Sequence, residues 1–159
     1  MSLIEIKTGK REKVKIVPVV DDDYKILTQK RYYFLWKRFK RCTDVVVYKL
    51  RISGDEDILG VMALIDVPSE SRFEIHLLAC SIENVGKNKT YEGITGHLIA
   101  FTCQQAVKKY GRDACVSLLP KTRLKAHYIQ QYGMLDAGLQ LFLAGKALND
   151  IILKYLLEA

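Results

Sequence analysis

The residues best suited to chemistry lie in one continuous stretch. Phe73-Glu-Ile-His-Leu-Leu-Ala-Cys-Ser is an apolar run that carries a carboxylate at Glu74, an imidazole at His76 and a thiol at Cys80. In an extended strand alternate residues project to one side, so Glu74 and His76 are expected to share a face with Leu78 and Cys80. The strand is followed by Asn84-Val-Gly-Lys-Asn-Lys-Thr-Tyr-Glu-Gly-Ile-Thr-Gly-His-Leu-Ile, a polar loop with lysines and glycines that runs into a helical pattern. A strand passing through such a loop into a helix brings unpaired backbone N–H groups and the positive end of the helix dipole to one point, which favours phosphate. Residues 89–96 are the candidate anion seat: Lys89, Thr90, Tyr91, Glu92, Gly93, Ile94, Thr95 and Gly96. The same residues also suit an ordinary strand-to-helix turn with glycines at the cap. They do not form a Walker A loop, because no Gly-Lys-Ser/Thr closes the segment.

The elements that must position this stretch can be read from hydrophobic period. Residues 13–20 alternate as a short strand, with Pro18 arguing for an edge position. Asp21 to Asp23 supply N-cap and first-turn acids for a helix over residues 24–39. Its aromatic cluster Tyr32, Tyr33, Phe34 and Trp36 reads as core or as a substrate wall, with a base-stacking platform as the alternative, because Arg31, Lys37 and Arg38 are interleaved. Residues 45–52 and 58–67 form an antiparallel hairpin around Ser-Gly-Asp-Glu-Asp, and a third strand spans 73–82. After Gly93 the period becomes helical, with Ile94, Leu98, Phe101, Val107 and Tyr110 near one face and Gly111 as the stop. A short strand at 114–119 ends at Pro120, and the helical crossover makes it parallel to the 73–82 strand. A helix at 121–132, a strand region at 134–143 and an amphipathic helix carrying Ala147, Leu148, Ile151, Ile152, Tyr155 and Leu156 complete the order. The expectation is an α+β fold with a mixed, mostly antiparallel central sheet flanked by helices, and a single domain over 1–159 with no linker or repeat.

Composition narrows the function classes. Hydrophobic residues at 49% and charged residues at 27% fit a folded globular chain, not a disordered one. A net charge of +7 attracts anions, which leaves nucleic acid, an anionic membrane and a phosphate-rich small molecule in competition. The basic runs at 7–15 and 30–41 read as a solvated tail and a solvated helix face. No basic segment followed by an apolar one opens the chain, and the apolar residues 58–65 are too few to cross a bilayer. The four cysteines stand singly without zinc spacing, so reduced thiols, no metal and a cytoplasmic location are expected.

Two segments resemble the GNAT (GCN5-related) N-acetyltransferase superfamily. Thr90-Tyr-Glu-Gly-Ile-Thr is similar to that family's Gln/Arg-x-x-Gly-x-Gly/Ala loop at the start of the central helix, with Gly93 as the middle glycine. Thr90 stands for Gln/Arg, with Lys89 one place off, and Thr95 stands for the small final residue. Leu78-Ala-Cys-Ser-Ile resembles the preceding strand end, Leu-x-Val-x-Pro. Lys121-Thr-Arg-Leu-Lys-Ala-His-Tyr-Ile-Gln-Gln-Tyr-Gly-Met resembles Asn-x-x-Ala-x-x-x-Tyr followed by Gly-Phe, with Tyr128 as the tyrosine, Lys121 for asparagine and Met134 for phenylalanine. The resemblance spans residues 45–134 and implies the GNAT-like (acyl-CoA N-acyltransferase) fold with acetyl-CoA as cofactor.

By that resemblance, the pantetheine arm of coenzyme A would lie along Leu78, Ala79 and Cys80, residues 89–96 would wrap the pyrophosphate, and Lys121 would stand on the cofactor side. A backbone N–H near Leu78 would stabilise the oxyanion, Tyr128 would protonate the leaving thiolate, and Glu74 would be the base for a primary amine on a small molecule or a protein. His76 is expected to be non-catalytic, and His97 and His127 to lie on helix surfaces. The tail after Gly133 looks shorter than the two terminal strands of the family, and an apolar, exposed final helix leaves room for a homodimer. The rival readings are a non-catalytic acyl-CoA-binding or protein-interaction domain on the same scaffold, and a nucleic-acid-binding module using residues 30–41.

Overall fold

The structure, a computed structural model, describes residues 1–120 and 122–157. The chain opens with β1 (Ser2–Glu5) and β2 (Arg11–Pro18), and β1 was not legible because only Leu3 in it is buried. Register runs from Ser2 opposite Lys13 to Ile4 opposite Arg11, so β1 covers only the first part of β2. Pro18 lies past its reach, on a locally free edge where a missing N–H costs no ladder bond.

The helix expected over 24–39 is replaced by three short pieces: a 3-10 turn at Asp21–Lys25, α1 (Gln29–Tyr32) and a second 3-10 turn at Trp36–Arg41. The break follows from packing. Tyr33 has a φ of 73°, Tyr32 and Trp36 are fully buried, and the Tyr32 hydroxyl donates to Ile58 O at 2.7 Å while Trp36 Nε1 donates to Tyr32 O at 2.9 Å. Anchoring two aromatic rings by their polar tips outweighs the weak propensity for one continuous helix.

The antiparallel strands β3 (Val45–Ile52), β4 (Ile58–Val67) and β5 (Arg72–Cys80) follow as expected. A two-residue strand, β6 (Tyr91–Glu92), precedes α2 (Ile94–Tyr110), which crosses to β7 (Cys115–Leu118). β5 and β7 are parallel over only four pairs, from Arg72 opposite Cys115 to Ile75 opposite Leu118. Next come α3 (Lys125–Tyr132), β8 (Leu135–Ala137), β9 (Gln140–Ala144), α4 (Gly145–Ile152) and a π-helical turn at Leu153–Leu157. Among the described residues nine strands form one sheet in the order β6-β1-β2-β3-β4-β5-β7-β9-β8. The region after Gly133 therefore does hold two strands. Its turn was missed, although Asp136 Oδ1 accepts the Gly138 N–H at 2.9 Å in a standard Asp-x-Gly arrangement.

Apolar residues pack on both faces of the sheet. On one, Leu50, Met62 and Ile75 meet Leu98 and Ile99 of α2 and Leu148 and Ile151 of α4. The apolar face of α4 is thus buried inside the molecule and is not the exposed face expected. On the other, Tyr32, Trp36 and Phe39 cover Val47, Val61 and Ala79.

A β-bulge sets the geometry of the site. Ala63 pairs with Leu77 and Leu64 with Ile75, which leaves His76 as the extra residue in β5. The alternation changes phase there. Ile75, Leu78 and Cys80 pack on the α2 side, whereas Leu77 and Ala79 join the aromatic face. Glu74 consequently does not share a face with Leu78 and Cys80.

Candidate functional site

β7 stops at Leu118 while β5 continues to Cys80, so the far half of β5 has β4 on one side and, among the described residues, no strand on the other. Its outward N–H and C=O groups are left for another partner. At this divergence lies a cavity of about 520 Å³, walled by Leu77 to Cys80, by Leu118 to Pro120, by Leu124, His127 and Tyr128, and by Tyr33, Phe34 and His76. A second hollow of about 60 Å³ shares the Cys80, Asn84, Lys89 and Thr95 walls and reaches Gly93, Ile94, Tyr132 and Tyr155.

The loop between β5 and α2 is braced from behind. Asn84 is buried, donates to Ser81 Oγ at 2.9 Å and accepts the Tyr91 N–H at 3.0 Å. Thr90 N donates to Glu83 O at 3.2 Å, and Thr90 O accepts from Ile6 N at 3.0 Å, beside the pairing of Ile4 with Glu92 in β1 and β6. Gly93, at φ 99°, is the N-cap of α2 in a backbone region that side chains avoid. Gly96 is required for a different reason: a Cβ there would stand 2.2 Å from Cζ of the Tyr155 ring. His97 is buried, with Nδ1 2.6 Å from Gly93 O and its ring 5.3 Å from that of Tyr155. It is therefore an internal brace and not a surface residue, and burial lowers its pKa.

Lys89 lines both hollows and pairs with Glu92 at 3.1 Å. Together with the first-turn amides of α2, which a helix leaves unpaired, it makes the smaller hollow favourable to an anion. The Cys80 thiol lies 3.4 Å from Thr95 Oγ1, and burial raises its pKa, so it is not a ready nucleophile. Burial also raises the pKa of Tyr128, which keeps its phenol protonated as it lines the cavity.

Solved structures share this fold. The spermidine/spermine N-acetyltransferase SpeG from Vibrio cholerae matches with a TM-score of 0.64 at 11% identity, covering 87% of this chain and 98% of its own. A proposed GNAT-family acetyltransferase from Desulfovibrio desulfuricans matches with a TM-score of 0.61 at 10% identity, covering 82% and 98%. Another proposed acetyltransferase gives 0.69 at 9% identity, over 90% and 92%. This is the GNAT fold. No family model matches the sequence, and no curated protein does.

Within the GNAT fold of this chain, most of the expected cofactor residues come together. Leu78, Ala79, Cys80, Lys89 and Thr95 line the larger hollow with Tyr128, while Tyr91, Glu92, Gly93 and Ile94 line the smaller. Gly96 lies beneath Tyr155, Thr90 contributes backbone bonds behind the loop, and Lys121 lies outside the described residues. Glu74 is not in the cavity wall. It bonds Arg72 at 3.2 Å and stands 3.7 Å from His76 Nδ1, while Arg72 also donates to Ser117 Oγ at 2.7 Å. His76, set aside as non-catalytic in the sequence, lines the cavity because the bulge turns it there. His127 lines it too, 6.0 Å ring to ring from Tyr128. The sequence also gave no sign of the clamp on α1, where Arg31 pairs with Asp57 at 2.9 Å and with Glu83. That clamp lies next in the chain to Tyr33 and Phe34, which line the cavity, and its trace in the sequence is an arginine directly before three aromatics.

Proposed function

We propose that the protein is an acetyl-CoA-dependent N-acetyltransferase acting on a primary amine. The observation that carries the reading is the divergence of β5 and β7 into a cavity that adjoins an anion-favouring helix start. The residues present fit coenzyme A. The free edge of β5 at Leu78 to Cys80 offers backbone bonds to a pantetheine amide, and Lys89 with the amides at Gly93 to Thr95 offers charge and donors to a pyrophosphate. Acetyl-CoA would supply an acetyl group activated as a thioester.

The chain's own residues have separable tasks. An amine is protonated at neutral pH and must lose a proton before it can attack. His76 accepts that proton at the ring nitrogen remote from Glu74, and Glu74, pinned by Arg72, orients the ring. This reassigns the base from Glu74 to His76. N–H groups of β5 near Leu78 stabilise negative charge developing on a carbonyl oxygen. Tyr128, kept protonated by burial, holds a proton for the leaving group.

A non-catalytic coenzyme A-binding role is the second reading, favoured by the Lys89–Glu92 pair, which offsets the Lys89 charge. Calorimetric titration with coenzyme A and acetyl-CoA tests the common ground. One molecule should bind per chain, and Lys89→Glu should weaken binding tenfold or more, equivalent to about 1.4 kcal/mol. No binding by the unaltered protein would overturn both readings. Binding without acetyl transfer to any amine would favour the second.

A further inference from the structure

We infer that the acceptor is a small primary amine carried on an aromatic or apolar body, and that polyamines are excluded. The inference rests on the acetyltransferase reading and concerns the side of the cavity away from the anion-favouring loop. That side is formed by Tyr33, Phe34, His76, Leu77 and Leu119. Its aromatic character continues behind the wall: Phe34 meets Trp36 edge-on at 6.0 Å, Trp36 meets Phe39 at 6.0 Å, and Phe39 meets His76 edge-on at 5.8 Å.

Charge makes the same distinction. Among the described residues lining the larger cavity none is Asp or Glu, and Lys89 and Arg123 are cationic. The carboxylates nearby do not line it: Asp57 and Glu83 share Arg31, and Glu74 shares Arg72 with Glu70. A polyamine would have to desolvate second and third ammonium groups against apolar rings and positive charge, with no carboxylate in the described wall to receive them. A monoamine brings one charge, which it gives up to His76 on reaction, and its aromatic body replaces water against Tyr33, Phe34 and Leu77. SpeG shares the fold and is named for polyamines, so the wall chemistry and not the scaffold decides the acceptor.

The test measures acetyl-CoA-dependent thiol release with 2-phenylethylamine, tryptamine, spermidine and spermine, alongside calorimetric binding of coenzyme A. The expected result is a kcat/KM for an aryl amine at least a hundredfold above that for either polyamine. Phe34→Ala and, as an exposed second site, Tyr33→Ala should raise KM for the aryl amine fivefold or more and leave coenzyme A affinity unchanged. Intact coenzyme A binding with equal or faster turnover of spermidine, or with turnover of no aryl amine, overturns the inference and leaves the cofactor reading standing. Absence of coenzyme A binding would instead strike the acetyltransferase reading on which it rests.

Discussion

Replacing Gly96 by alanine should expose how tightly the end of the chain is locked onto the start of α2. A methyl group at Gly96 would lie 2.2, 2.3 and 2.8 Å from Cζ, Cε1 and Cε2 of Tyr155, where carbon atoms prefer about 3.5–4.0 Å. The ring must retreat by more than 1 Å. It is flanked by His97 at 5.3 Å and Tyr132 at 6.3 Å, so retreat disturbs both neighbours. Overpacking of this kind costs about 1–3 kcal/mol, and alanine returns at most about 1 kcal/mol of helix propensity. The net loss should be up to about 2 kcal/mol, or up to roughly 8 °C in Tm for a chain of this size. In a Tyr155→Ala background the obstruction is gone, and the same substitution should be neutral or stabilising by up to about 1 kcal/mol. Urea unfolding of the four proteins gives the coupling free energy directly. A Gly96→Ala penalty of the same size in both backgrounds would refute the reasoning.

Two further outcomes follow from the same geometry. His97 has a folded pKa below its usual value because it is buried, so the unfolded chain takes up the proton first; its contribution to stability is full above about pH 6.5 and is lost as pH falls through the lower folded value. Thermal unfolding between pH 7.5 and 5 should show that decline, and His97→Gln should flatten it; an unchanged slope would remove His97 as the cause. His76→Gln should lower kcat for the best acceptor about a hundredfold with coenzyme A affinity intact, whereas an unaltered kcat would exclude the imidazole as the base.

What the sequence revealed and what it hid have separate physical origins. The β3–β4 hairpin, the β5–α2–β7 crossover and the passage of β5 through a polar loop into α2 each rest on local period or on residues close in the chain, and each stands in the structure. The expected shared face of Glu74 with Leu78 and Cys80 failed because strict alternation does not hold through β5, where a single unpaired residue at His76 reverses it. Nothing local announces that bulge. The helix at 24–39 failed because burial of Tyr32 and Trp36 is decided by Ile58 and the sheet beneath, far along the chain. His97 looked solvent-facing from helical spacing alone, since Tyr155, the residue that covers it, belongs to the last turn. The cavity wall at Tyr33 and Phe34 is only half visible in the sequence: the aromatics stand out, but nothing local shows that the neighbouring Arg31 pairs with Asp57 and Glu83.

The stitch between β1 and the loop ahead of α2 gives the molecule a built-in reporter. Ile6 N–H is held by Thr90 O, and β6 pairs with β1 at Ile4 and Glu5. Any ligand that draws residues 89–96 into a tighter curve loads those bonds, and any opening of the loop releases them. Deuterium uptake at the first strand thus registers the state of a site that this strand does not line.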